Sequence, residues 1–200
     1  MWNDVVGESS ARTSHSTLRH ELLDTAAVPL DGVAARQRAR KKMIGALKYL
    51  AQDERERLAG ELARKLEVRP RTDLMLSTAQ LQTLAADPLI EIGGHTRSHP
   101  ILACTDDAAA ANEMAEGKKQ LEEIIGKPVY GFAYPNGQPG KDYVPEHAGM
   151  AREAGFSFAV STAWGASRPT TDRFQMPRFT PWHRDVLKFC ASLVRVARNG

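Results

Sequence analysis

The chain has few of the features that mark several common classes of protein. Its 200 residues contain two cysteines, Cys104 and Cys190, with no CxxC spacing, so a disulfide framework and a closed cysteine-based zinc site are both disfavoured. No apolar run is long enough to cross a bilayer, and the N-terminus lacks the basic and apolar regions of a secretory signal. We therefore expect the chain, as given, to be cytoplasmic, with reduced thiols and no membrane span.

A large charge imbalance is also absent. The 27 basic and 24 acidic side chains leave a formal charge of +3, which is too small to indicate a nucleic-acid partner. The cationic block at 36–42 has no interleaved aromatic residues, so we interpret it as the solvated face of a helix. Nucleic-acid binding ranks last among the functions considered, and functional evidence must come from individual sites.

The first third of the chain has a mostly helical pattern. Residues 1–35 mix polar and apolar types without a sustained period, which predicts irregular or marginal structure there. Leucine and other apolar residues then recur at helical intervals over 33–66, and a break near 51–53 predicts a helix pair. These observations define residues 1–72 as an N-terminal helical segment.

Helices and strands alternate over residues 73–190, which predicts an α/β domain of parallel βα units followed by a C-terminal tail at 191–200. The side chains that carry chemistry in such domains cluster where strands end. The predicted elements are helix 79–86, strand 89–92, helix 106–125, strand 129–134, helix 145–154 and strand 156–161.

Two histidines, His95 and His99, occur in the run EIGGHTRSHP directly after the strand predicted at 89–92. Pro100 disfavours right-handed helix at His99 and favours extended backbone, so the segment differs from the continuous helix of HExxH proteases. Two imidazoles with one carboxylate and water would form a hydrolytic metal site. The alternative is a pair of solvated or capping histidines in a turn.

A second loop, FAYPNG, follows the strand predicted at 129–134. Tyr134 and Pro135 are candidate substrate contacts, and the backbone amide of Asn136 is a candidate donor to an oxyanion, which requires fixed N–H groups. The alternative is an ordinary Pro-Asn-Gly turn.

A third stretch runs from STAWG to MPRFTPW and supplies Trp164, Arg178 and Trp182. These residues could reach the same end of the sheet, where aromatic faces would suit sugar rings, so we predict that they bind substrate. The alternative is that the tryptophans are core anchors.

These three loops, in this order, resemble the polysaccharide deacetylase family, whose NodB-homology domain places it among the carbohydrate esterases. The resemblance covers roughly residues 74–182. It implies an incomplete, distorted (β/α) barrel that holds a divalent metal, Zn²⁺ foremost, through His95, His99 and an aspartate. It also implies that the Asn136 amide binds the oxyanion.

The chain departs from the family pattern at three points, one of which is that a C-terminal histidine that acts as general acid has no counterpart, since His183 falls in a different pattern. Ala133 occupies the position of an arginine that orients the catalytic aspartate, and the Thr-Phe-Asp-Asp motif that supplies the general base and third ligand is absent. Neither Asp4 nor Asp142 matches that motif. The chain therefore resembles an N-terminally truncated member that lacks the first strands, and the activity of the chain as given is in question.

The resemblance implies a hydrolase of carbon–nitrogen bonds other than peptide bonds that removes N- or O-acetyl groups from a polysaccharide or amino sugar. Chitin-like oligomers, peptidoglycan, exopolysaccharide and acetylated xylan all remain candidate substrates. The alternative function is a non-catalytic remnant or interaction module, in which an exposed sheet edge supports self-association.

Overall fold

The computed structural model describes residues 1–23, 26–71, 73–180 and 182–199. The chain divides into two compact units, Met1–Ser77 and Thr78–Gly200. Among the helices described, none is both long enough and apolar enough to cross a membrane.

The first unit consists of helices and a short hairpin. Helix α1 (Trp2–Arg12) packs against α2 (Gly32–Leu47) and α3 (Gln52–Lys65), and β1 (Thr17–Leu18) pairs antiparallel with β2 (Val28–Pro29). The predicted helix pair over 33–66 is confirmed. On α2, Ala35, Ala39, Met43 and Leu47 are buried at four-residue intervals, which leaves the cationic block outside the core.

The prediction of irregular structure over 1–35 is wrong for α1. Val6 is fully buried in the core that α1 shares with α2 and α3, so tertiary packing stabilises the helix despite its polar composition. The hydroxyl of Ser9 donates to Val5 O at 2.6 Å, and that of Ser10 donates to Gly7 O at 3.0 Å. The two buried serines are therefore satisfied within their own helix.

The second unit contains a three-stranded parallel sheet in the order β3-β4-β5. This arrangement confirms the α/β class, although three strands do not establish a barrel. The elements are α4 (Thr78–Ala86), α5 (Asp107–Ile125), β3 (Gly131–Ala133), α6 (Pro145–Glu153), β4 (Phe158–Trp164), β5 (Met176–Arg178) and α7 (Val186–Asn199). The sequence predicts that a C-terminal tail starts at residue 191, but α7 continues through this position.

The strand predicted at 89–92 is wrong. Leu89 is 92% exposed and Ile90 is 40% exposed, and the segment forms only an isolated parallel bridge between Gly94 and Phe132. The Gly94 amide donates to Gly131 O at 2.8 Å, and the Ala133 amide donates to Gly94 O at 2.9 Å. In the described residues, this segment is joined to β3 by one bridge at Gly94 and not by a ladder, so no longer strand forms. The strands predicted at 129–134 and 156–161 form with shifted ends.

One face of the sheet is covered and the other is open. Phe132 and Ala159 lie in a buried cluster with Met114 of α5 and Ala151 of α6. The alternate positions, including Phe158 and Val160, point away from that cluster and are exposed or half-buried. The carboxyl ends of the parallel strands share one edge, where the candidate site lies.

Candidate functional site

His95 is oriented by a hydrogen bond to the neighbouring strand. Its Nδ1 lies 2.6 Å from Ala133 O, which is at the end of β3. A carbonyl oxygen can only accept, so Nδ1 carries the proton and the Nε2 lone pair of the neutral ring is left for a ligand. Metal-binding histidines are commonly oriented by such a bond on the second ring nitrogen.

The structure brings His99 next to His95. The two ring centroids are 4.8 Å apart and the ring planes meet at 74°. Imidazoles that share one tetrahedral ion, with metal–nitrogen distances of about 2.0–2.1 Å, have centroids about 5 Å apart, so the pair fits two ligands of such an ion. Within the described ranges, no group of three His, Cys, Asp or Glu side chains could hold a metal. The described residues thus bring together two candidate ligands without a third.

The backbone of the loop His95–His99, which we call the histidine loop, is unusual. Thr96 and His99 have φ angles of 60° and 59°, in the left-handed region that non-glycine residues rarely adopt. The Thr96 hydroxyl donates to His95 O at 2.6 Å and accepts from the His99 amide at 3.1 Å. The position of His99 before Pro100 predicts extended backbone, but the structure shows left-handed backbone there. The bond from the His99 amide to the Thr96 hydroxyl stabilises this conformation.

Glu113 on α5 fixes the middle of the histidine loop. Its Oε2 accepts from the amides of Arg97 and Ser98 at 2.9 and 2.8 Å, and its Oε1 accepts from the Ser98 hydroxyl at 2.7 Å. Bonds to an ionised carboxylate are stronger than neutral ones. Glu113 has no signal in the sequence, since a lone glutamate on a helix resembles any solvated charge.

Gly117, one turn along α5, allows the helix to approach the loop closely. A β-carbon built at Gly117 would lie 3.0 Å from Thr96 C and 3.1 Å from Arg97 N. A glycine within a helix is a recognised signal of close packing, so this position was detectable in the sequence. On the other side, a β-carbon at Gly94 would lie 2.7 Å from the Phe156 ring.

The FAYPNG loop is partly a core element. The Tyr134 side chain is 1% exposed, stacks on Tyr143 at 3.8 Å, and donates its hydroxyl to Phe174 O at 2.8 Å. Burial raises the pKa of the Tyr134 hydroxyl and that of Tyr143, so both hydroxyls remain neutral. Pro135 is also buried. The Tyr134 ring therefore does not present a face to substrate, contrary to the sequence prediction.

Asn136 is the exposed tip of that loop. It has a φ angle of 57°, and the loop is fastened to β4 because the Thr162 amide donates to Gly137 O at 2.8 Å. In the part of the chain that the structure describes, the Asn136 amide has no protein acceptor. A fixed, exposed N–H at the end of β3 suits an oxygen from an external ligand.

The third predicted stretch is divided by the structure. Trp164 at the end of β4 pairs in register with Arg178 of β5, so these two residues share the carboxyl edge of the sheet. Trp164 is 52% exposed, and the Arg195 guanidinium lies 6.0 Å from its ring. Trp182 lies beyond β5 and is 85% exposed. Neither tryptophan is a buried core anchor.

An open cavity of about 290 Å³ borders His95 on the uncovered face of the sheet. Ala133, Phe158 and Val160 contribute much of its apolar lining. Its volume is near the lower end of the range for small-molecule sites, about 300–1,000 Å³.

The second unit is thus a parallel α/β unit that holds a pair of imidazoles at the carboxyl edge of its sheet. The family model for polysaccharide deacetylases matches residues 52–159, which is more than half of the chain. The chain belongs to the polysaccharide deacetylase family.

Solved structures show the same fold at low identity. A polysaccharide deacetylase from Bacillus cereus has a TM-score of 0.50 and 23% identity over 60% of this chain and 37% of that chain. A Streptococcus pyogenes deacetylase in complex with acetate has a TM-score of 0.50 and 17% identity, over 62% and 57%. A Bacillus anthracis protein described as a polysaccharide deacetylase has a TM-score of 0.51 and 20% identity, over 77% and 47%.

The chain therefore spans between about a third and three-fifths of the length of these structures. The similarity shows the fold and leaves residue roles to the geometry described above. A search among curated proteins gave no match.

Proposed function

We propose that this site acts in the metal-dependent removal of N- or O-acetyl groups from a polysaccharide or amino sugar. The observation that carries the proposal is the histidine pair at 4.8 Å, with the Nε2 atom of His95 left available by the bond from its Nδ1 to Ala133 O. The family match supplies the substrate class.

His95 and His99 would hold a divalent cation, and Zn²⁺ suits two imidazoles. When bound, such an ion lowers the pKa of coordinated water and polarises a carbonyl oxygen. The Thr-Phe-Asp-Asp motif is absent from this sequence, so a general base and a third ligand of that type are missing here. We therefore expect slow turnover from this chain alone, because losing one member of a coupled catalytic set costs orders of magnitude.

The remaining residues of the site would bind and orient the substrate. The Asn136 amide would donate to the oxygen that becomes negative as the acetyl carbon turns tetrahedral. The exposed face of Trp164 would stack on a sugar ring, and the Arg178 guanidinium would donate to its hydroxyl groups. The open face of the sheet, with its cavity beside His95, would be the inner face of the family's incomplete (β/α) barrel.

A zinc titration tests the proposal. The wild-type chain should take up one Zn²⁺ in competition with a chromophoric chelator, and His95→Ala and His99→Ala should each weaken binding by at least about tenfold, since even outer-shell changes cost 10–100-fold. His15→Ala is the matched control, because His15 is also partly exposed and lies beside Glu67 in the first unit. Equal, weak uptake by all four proteins would contradict the proposal.

An acetate-release assay on acetylated chitin oligomers and acetylated xylan separates enzyme from binding module. Acetate release that requires zinc and is lost in His95→Ala is the expected result. Zinc uptake without acetate from any substrate would support the non-catalytic interaction module instead.

A further inference from the structure

Helix α7 has an apolar side that the rest of the unit leaves largely uncovered. At 3.6 residues per turn, apolar side chains occupy about half of its circumference. Leu187 is 81% exposed, Val186 72% and Val194 58%. The exposed members of this surface, which we call the apolar arc, are Val186, Leu187, Cys190, Leu193, Val194 and Ala197.

The described contacts of α7 with the unit lie at one margin of its apolar side and at Arg195 on the opposite, basic side, whose guanidinium is 6.0 Å from the Trp164 ring. Val196 is 5% exposed, and the Phe189 ring lies 6.1 Å from the Phe179 ring. Both residues lie at one margin of the apolar side, so they fix the helix without covering the apolar arc.

The opposite side of α7 is basic. Lys188 and Arg195 lie there, Arg198 borders the apolar arc beside Leu187, and the sequence of the helix contains no Asp or Glu. Asp185 precedes the helix and caps it, with its Oδ1 accepting from the Lys188 amide at 2.9 Å. The helix therefore combines a wide apolar surface with three positive charges.

We infer that α7 binds the interface of an anionic lipid bilayer, with the apolar arc among the acyl chains and Lys188, Arg195 and Arg198 among the headgroups. A wide apolar face opposite a Lys/Arg-rich face is the pattern of helices that lie in a membrane surface. Fourteen residues span about 21 Å, which is less than the hydrocarbon core of about 30 Å, so the helix would lie in the interface without crossing it.

Charge favours lipid over a second copy of this chain. Two α7 helices packed through their apolar arcs would partly bury Arg198, which borders the arc, with no carboxylate on either helix to pair with it. An anionic bilayer instead attracts each basic residue near its surface.

The two cysteines provide a matched pair of probes. Both are exposed, and Cys190 lies in the apolar arc whereas Cys104 lies in a short 3₁₀ turn elsewhere in the unit. Cys104→Ser and Cys190→Ser each leave one thiol for an environment-sensitive fluorophore. With phosphatidylcholine vesicles that contain about 30% phosphatidylglycerol, only the Cys190 label should shift to the blue. No shift, or equal shifts from both labels, would overturn the inference.

Unlabelled variants test which side chains carry the binding. In vesicle co-sedimentation, Leu187→Glu combined with Val194→Glu should lower partitioning into vesicles by at least about tenfold, since each change removes an apolar contact with the acyl chains. Leu89→Glu is the control, because Leu89 is 92% exposed but lies outside α7, and it should partition like wild type. Circular dichroism checks that the variants fold.

Charge reversal at Lys188 and Arg198 should remove the preference for anionic over neutral vesicles. Equal binding of wild type to neutral vesicles would overturn the inference. So would lipid-independent oligomers that Leu187→Glu dissociates, because the apolar arc would then be a protein interface.

Discussion

The histidine loop and the C-terminal arm, residues 182–199, are held in the second unit by different means. Glu113, Thr96 and Ala133 O fix the loop through hydrogen bonds, and two of its residues have left-handed backbone. The arm is held at one margin of the apolar side of its helix and at one basic residue, and it exposes large apolar side chains such as Leu187 and Trp182. The difference is that the loop holds its side chains in a fixed geometry, whereas the arm leaves apolar surface open.

Removing the Glu113 carboxylate from the histidine loop should have the largest effect on stability and on zinc affinity. In Glu113→Ala, two loop amides and a hydroxyl lose their acceptor, so the free energy of unfolding should fall by about 1–3 kcal/mol. Zinc affinity should fall by about 10–100-fold, as for other residues that orient metal ligands. Urea unfolding and chelator competition measure the two effects.

Glu116→Ala is the control for Glu113→Ala, because Glu116 is also on α5 but has no bond to the loop. Unchanged zinc affinity in Glu113→Ala would show that the histidine loop keeps its conformation without the carboxylate. It would contradict the conclusion that hydrogen bonds from Glu113 distinguish the loop from the C-terminal arm.

Replacing two helical glycines by alanine should change the free energy of unfolding in opposite directions. Gly117→Ala places a β-carbon 3.0 Å from Thr96 C, so we expect it to destabilise the unit by about 1 kcal/mol despite the better helix propensity of alanine. Gly149→Ala on α6 meets nothing within 4 Å, so it should stabilise by about 0.5–1 kcal/mol. Thermal unfolding of both variants measures the difference, and equal signs would contradict the close approach of α5 to the loop.

The arm should be the most tolerant region. Trp182→Ala removes a side chain that is 85% exposed, so stability should change by no more than about 0.5 kcal/mol. Zinc affinity should not change. A loss of stability comparable to that of Glu113→Ala would mean that the arm is as firmly packed as the loop.

Local signals in the sequence were sufficient for the helices from α2 to α6, but not for α1 or α7. The prediction of a helix over 106–125 is confirmed by α5, because both of its ends are determined nearby. The Asp106 side chain accepts from the Ala109 amide at 2.9 Å, and Gly126 closes the helix with a φ angle of 67°. Cap residues act within one turn of the helix end, so the sequence contains what is needed.

Features that depend on distant partners were not predictable in the same way. The apolar run at 89–92 is typical of a strand, but a strand forms where another strand pairs with it, and the described bridge to β3 is at Gly94, beyond that run. The histidine pair was recognised from its spacing, whereas Glu113 contacts the loop across 15 or 16 positions. No local pattern marks such a partner.

Gly94 limits how the hexapeptide HTRSHP can be transplanted into an unrelated scaffold. With any other residue at this position, the host's equivalent of Phe156 would have to retreat, since a β-carbon would lie 2.7 Å from that ring. The imidazole that follows would then lose its alignment with the strand carbonyl. A successful graft must therefore include Gly94, Phe156 and the helix that carries Glu113, because the six residues do not hold their conformation without these neighbours.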